Sequence, residues 1–508
     1  MRNWDKRKLW GTAAKGATWG VLSAGVLLVG CSFEPRVPDD PMKVMGDELQ
    51  PALVRQAAVK QARELAGNDP VAISAVAESM EDVINSSKTP PEVRRAALTS
   101  LLEDANPAVQ ARAREVLKKR LPTEDTPRLV AMMCSAAADK GWSDCIPAIV
   151  QSYARDNAPG TTDEERPERS AIQKLAQGQG VAQAVFAVFL NPPKQEARYG
   201  VKWTGRLQRD AWQVLCRLDA SGEQRSAFVM GAQQGNADGT AAVEAIRACR
   251  ADLRAMPNSG DELAWLLSLR NEHGKENAAW WGETAAGVAR VPQAVVLELR
   301  HAETVRWAAA NHPELLGTSQ GELLAMLRDR LNSRHAVEHA GAKKLYRESL
   351  YGQEERLSWG DCLSILVLDD VLRQPGVPSI LWQQALLDLN DTRAGWGGAW
   401  VTKRGSRSGY VPVVYPPRPA QRRGDLEYAP TDDMISQCDL ALAFYSFHAW
   451  KTRNQDAAGP EPSDLARVAR LRRNELLLTP LSERRFNVDV VLPTGVVIDI
   501  GILEVPKE

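Results

Sequence analysis

Two six-residue stretches, VRQAAV at 54–59 and VRRAAL at 93–98, lie 39 residues apart, and that spacing limits what the chain can become. Each places a valine and an alanine four positions apart, Val54 with Ala58 and Val93 with Ala97, so both fall on one helix face. Between them, NDPVAISAVAESMEDVI opens with Asn68-Asp69-Pro70, a side-chain acceptor followed by a proline suited to a first helical turn. ANPAVQARAREVL repeats that opening at Asn106-Pro107. A helical unit of this size cannot bury its apolar face alone, so successive units must stack.

A period near 40 with Asn/Asp-Pro starts and Val-Arg-x-Ala-Ala pairs resembles the HEAT-type α-solenoid repeat, over about residues 47–155. The resemblance implies a curved surface that binds another macromolecule; a plain helical domain without a concave site is the alternative. Residues 156–170, DNAPGTTDEERPERS, are polar with Pro and Gly and are expected to be a linker. Helical periodicity continues irregularly over 171–375, as in GRLQRDAWQVLCRLDA and AAVEAIRACRADLRA. Fifteen tryptophans outnumber both Phe and Tyr, and Trp280-Trp281 reads either as an aromatic clamp or as packing between irregular helices. His335 and His339 have the spacing of paired helical zinc ligands, but Ala336 follows His335, so there is no H-E-x-x-H.

The N-terminus reads as an address. Arg2, Lys6, Arg7, Lys8 and Lys15 precede an apolar run, GATWGVLSAGVLLVGC, which is shorter than the roughly 20 residues a membrane span needs. Its end, Leu28-Val29-Gly30-Cys31, resembles the bacterial lipobox, with small residues before a cysteine that is acylated and becomes the first mature residue. The resemblance implies a signal peptide over 1–30 and a lipid-anchored, exported chain. Ser32 resembles the outer-membrane sorting pattern rather than the inner-membrane one. Each buried CH₂ of an acyl chain contributes about 0.8 kcal/mol, so several chains hold a protein at a bilayer. Residues 31–46, Pro-rich and polar, are expected to form a tether.

Six cysteines remain, none in a C-x-x-C pair, and Cys134 with Cys145 are the best-placed candidates for a disulfide in an exported protein. A net charge of −1 gives no global attraction to nucleic acid.

Past residue 376 the texture changes. PSILWQQALLDLN, TDDMISQCDLAL and SDLARVARL carry helical patterns. GAWVT, YVPVVY, LAFYSF, ELLLTPL, RFNVDVVL and VVIDIGIL carry strand patterns, the last two joined by a turn at Pro493-Thr494-Gly495. The expected fold class is mostly α, an irregular solenoid, followed by a small α/β domain over 376–508. The insert between the first two strands and beyond holds Lys403, Arg404, Arg407, Arg418, Arg422 and Arg423. It reads as a basic loop for an anionic envelope polymer or acidic protein partner, or as a solvated Pro-rich hairpin.

The helix-strand order and the stretch FYSFHAWKTRNQDAAGPEPSDL at 444–465 resemble the JAMM (MPN-type) metallopeptidase fold. That family pairs a catalytic Glu near a Gly-rich first strand with an H-x-H at a strand end and an S-x-x-D opening a helix. Two His and the Asp hold zinc, and one coordination position stays open for water. Carried onto this chain, the Gly-rich strand falls on DTRAGWGGAWV at 391–401, where Ala394, Gly395 and Trp396 stand in place of the Glu. The first His falls on Ser446, the second on His448, the Asp on Asp464 and the Ser on Glu461. The departures imply a worn-down metal site on a retained fold, with Glu461 the one group able to replace a ligand or base. An unrelated α/β domain with a structural histidine, and an active zinc hydrolase using His448, Asp464 and Glu461, remain open. The expected function is a lipoprotein scaffold that binds protein, with zinc peptidase and purely structural envelope component as alternatives.

Overall fold

The computed structural model describes residues 37, 40–156, 161–193, 202–233, 235–271, 274–332, 334, 350–402, 409–425, 427–431, 434–435, 438–450 and 458–507. The expected signal segment over 1–30, Cys31, Lys403, Arg404, Arg407, His335 and His339 lie outside them. The chain divides into two compact units, Met1–Asp104 and Ala105–Glu508.

In the first unit, helices Pro41–Gly46, Ala52–Ala66, Pro70–Asn85 and Pro91–Glu103 follow one another. The Asp-Pro start behaves as its chemistry dictates: Asp69 accepts the amide of Val71, and Pro70 occupies the first turn. Ala58, Val93 and Ala97 are buried, as a shared helix face requires, and Val54 is half-buried. The arginine of each repeated stretch is buried as well. The Arg55 guanidinium donates to the Met45 carbonyl at 2.9 Å and to Thr89 Oγ1 at 3.2 Å. Residues 41–46 therefore do not belong to a tether. Asp40 caps them, Pro41 starts them, and Val44 and Met45 are buried, so apolar burial turns the end of the expected spacer into a packed helix.

The second unit begins with a series of helices, the first at Pro107–Arg120, where Asn106 accepts the amide of Ala108. The expected linker ends early. Helix Pro167–Leu175 starts inside it, and Arg166 and Glu168 pair at 2.8 Å, both buried, with Ser152 Oγ donating to Glu168. A charged pair draws the linker's polar sequence into the interior because its partners there satisfy it. Trp280 and Trp281 are both buried; Trp280 Nε1 donates to Glu303, and Trp281 Nε1 to Asp252. They are packing residues, not a clamp.

Six strands follow among the described residues: β1 Gly397–Thr402, β2 Tyr410–Tyr415, β3 Phe444–Phe447, β4 Glu475–Ser482, β5 Arg485–Val491 and β6 Val497–Glu504. They form one sheet in the order β2-β1-β3-β4-β5-β6. β3 and β4 run parallel, joined through helix Pro462–Leu471; every other neighbouring pair is antiparallel. The β5–β6 turn places Gly495 at φ +75°, a conformation that glycine adopts without steric cost. At the start of β1, a side chain on Gly398 would collide with the Val413 carbonyl and the Tyr445 ring, so glycine lets three strands close up there.

One face of the sheet carries Trp400, Tyr445, Phe447, Leu476, Phe486 and Ile498 into a core shared with helices Trp359–Leu372 and Val377–Leu389. The first of these helices is buried at every residue except Asp370, which suits its nearly unbroken apolar sequence. The same core runs back to Val288, so the change of texture near 376 marks the start of the sheet, while the core reaches across it. The opposite face packs Leu477, Val491 and Val497 on Val468 of helix Pro462–Leu471.

Candidate functional site

His448 lies one residue past the end of β3, its amide bonded to the Leu478 carbonyl on β4. Asp464 is the third residue of helix Pro462–Leu471. Glu461 precedes that helix as its N-cap, and the two acids form a reciprocal capping box. The parallel crossover brings these two pieces of chain together, with His448 Nε2 3.1 Å from Asp464 Oδ2 and both residues buried. The Trp450 ring stacks on the imidazole with centroids 5.5 Å apart.

The rest of the carboxylate is occupied. Asp464 Oδ2 also accepts the Glu461 amide at 2.8 Å, and Oδ1 faces Arg467 Nη2 at 2.9 Å. Arg467 in turn donates through Nε to Glu475 Oε2 at 3.1 Å, through Nη1 to the Tyr428 carbonyl at 3.0 Å and through Nη2 to Ser446 Oγ at 3.3 Å. Burial pushes the Asp464 carboxyl up, but the His448 hydrogen bond and the Arg467 charge outweigh it and hold the group down at about 2. Burial alone would lower the Arg467 guanidinium, yet Glu475 and Asp464 raise it.

Ser446, in the place of the first histidine, does not meet His448; its Oγ donates to Glu475 Oε1 at 2.6 Å. A Ser–His nucleophile therefore has no geometric basis here. Residues 394–396, onto which the resemblance carries the glutamate, run beside this strand end, with the Phe447 amide bonded to the Trp396 carbonyl at 3.0 Å. Its residues offer no proton acceptor: Ala394 is apolar, Gly395 has no side chain, and Trp396 Nε1 donates to Asp391. Glu461 is engaged as a helix cap. Among the described residues no group of three or more His, Cys, Asp or Glu is placed to hold a metal ion.

An acid that sequence reasoning passed over stands nearby. Asp388, on helix Val377–Leu389, is buried and hydrogen-bonds the amides of Trp396 and Ala449. Burial, with Asp425 and Asp391 adding to it, pushes its carboxyl up to about 8, and Oδ1 has no hydrogen-bond partner among the described residues. Its signal in the sequence was a lone acid inside the apolar run LWQQALLDL.

The basic insert is partly neutralised. Arg422 Nη1 bonds Asp391 at 2.6 and 2.7 Å, and Arg423 faces Glu427 at 3.5 Å. Cys134 and Cys145 are both buried and both free thiols, so the structure holds no bridge between them. Burial pushes both thiols up, Cys145 to about 11. No helix among the described residues is long and apolar enough to cross a membrane. No protein-family model matches this chain, and no curated protein or solved structure matches it significantly.

Proposed function

We propose that the chain is a membrane-anchored envelope lipoprotein, acylated at Cys31, whose helical repeats serve as a protein-binding scaffold and whose C-terminal α/β domain is non-catalytic. The observation that carries the non-catalytic half is the Arg467 guanidinium against Asp464. A zinc ion needs its carboxylate ligand free and a second and third donor beside it. Here a guanidinium already supplies the positive charge, and the first histidine and the general base are replaced by Ser446 and by Ala394, Gly395 and Trp396. The lipobox resemblance around Cys31 supports the anchored half.

Elemental analysis of the purified full chain is expected to find far less than one zinc per protein. Stoichiometric zinc lost on His448→Ala would overturn the non-catalytic reading in favour of the zinc hydrolase. Metabolic labelling with a radioactive fatty acid is expected to mark the wild type and not Cys31→Ser; an unlabelled wild type would overturn the anchor.

A further inference from the structure

Helix Pro462–Leu471 has a second face. Opposite the Asp464 side it presents Ser463, Ala466 and Arg470 to an open cleft of about 1270 Å³. The facing wall consists of helix Lys202–Leu218 and the start of helix Gly260–Asn271. That wall is held firmly. The Gly260 amide donates to Gln213 Oε1 at 2.9 Å, and a side chain on Gly260 would collide with the Arg209 carbonyl. The end of the basic insert reaches the same cleft through Gln421 and Arg423.

The charges in the cleft are unevenly matched. Arg209 from one wall and Arg470 from the other approach a single carboxylate, Asp261, at 3.6 and 3.7 Å. Both contacts are long, and the two guanidinium side chains stay 41% and 58% exposed. Exposed pairs of this kind contribute little to stability, so an incoming carboxylate can replace the shared one at little cost. Arg423 is 63% exposed and faces Glu427 at 3.5 Å, a third loosely held fork on the rim. Arginine's planar fork is built to take carboxylates two oxygens at a time. The lining is poor in surfaces for a sugar. Its one aromatic ring among the described residues is Tyr428, which is buried and covered by the Arg467 guanidinium 5.2 Å from its centroid.

We infer that this cleft binds an acidic peptide segment of a protein partner, with Arg209, Arg470 and Arg423 receiving its carboxylates. The inference deepens the proposed function and rests on its protein-binding part. It also gives the basic insert a role through Arg423, the arginine of that insert that lines the cleft among the described residues.

The test is fluorescence anisotropy of a labelled oligoglutamate peptide titrated with the full chain in detergent. The wild type is expected to bind in a salt-sensitive manner, as contacts among exposed charges must. Arg209→Gln with Arg470→Gln is expected to weaken binding about tenfold or more, through two lost charge-assisted contacts. The exposed Arg250, outside the cleft, serves as control, and Arg250→Gln is expected to leave affinity unchanged. Asp261→Asn releases both arginines from their shared partner and is expected to tighten binding severalfold, a gain that damage to the fold does not produce. Equal affinity in the wild type and the double variant would overturn the inference, as would weaker binding by Asp261→Asn. Preferential binding of an oligogalacturonate over the peptide would overturn the choice of ligand. Zinc or an absent acyl group would refute the proposed function without changing this titration, so the two failures are separable.

Discussion

Arg467→Met isolates the part the guanidinium plays beneath the sheet. The side chain is buried between two buried acids, Asp464 and Glu475, and makes five contacts with them, Ser446 and the Tyr428 carbonyl at 2.5–3.3 Å. Methionine fills similar space but leaves both acids buried without their cation. Removing one partner from a buried pair costs about 3–5 kcal/mol, because the remaining charge is uncompensated. For a unit of this size that corresponds to a fall in melting temperature of roughly 4–6 °C. Tryptophan fluorescence is a suitable probe, since every tryptophan after Trp19 lies beyond Ala105. The pH dependence supplies a second check. The folded state holds Asp464 down from its ordinary 3.8 to about 2, so its stabilisation is complete above 3.8 and disappears as pH falls through about 2. Arg467 is part of the cause, so the gap between wild type and variant is expected to be widest near neutrality and to narrow below pH 3.8. Arg467→Lys, which keeps the charge and loses the fork, should fall between them. A methionine variant that melts with the wild type at pH 7 would refute this account of the site.

Asp388 predicts the opposite slope. Its folded carboxyl is raised from 3.8 to about 8, so stability is greatest below 3.8 and declines as pH rises toward 8. Asp388→Asn keeps an acceptor for the Trp396 and Ala449 amides and is expected to flatten that decline, giving its largest gain over wild type above pH 8; identical melting at pH 9 would refute the assignment. The thiols of Cys134 and Cys145 are expected to resist a thiol reagent in the native protein, being buried and raised in pKa, and to react fully after denaturation without reductant. Two missing thiols under those conditions would mean that a bridge forms after all.

Much of the architecture was legible because it depends on short-range chemistry. Asp69-Pro70 and Asn106-Pro107 start helices by local hydrogen bonding and a preset φ, and both do so here. All six strand patterns after residue 376 became strands, since alternation with β-branched and aromatic residues needs no knowledge of the partner. The boundaries drawn from polarity were less successful. Residues 41–46 and 166–170 look polar or Pro-rich, yet Met45, Arg166 and Glu168 find buried partners that composition cannot reveal.

The resemblance carried His448 and Asp464 onto positions of one metal site, but it pointed neither to their direct hydrogen bond nor to the third group. Arg467 is one turn along an amphipathic helix, where an arginine ordinarily faces water. Its burial depends on Glu475 and Ser446, which reach it only because β3 and β4 lie parallel and adjacent. Likewise Asp388 gives no sign, within its own segment, that the amides of Trp396 and Ala449 will meet it.

The chain's sequence by itself determined where helices and strands begin and which faces turn inward. Those properties depend on neighbours a few residues away. Only the tertiary structure decided which buried charges meet: that Arg467 answers Asp464, that Arg209 and Arg470 share Asp261, and that Cys134 and Cys145 stay apart. The energy of a charge depends on the distance and dielectric between groups far apart in the chain, and folding alone sets both.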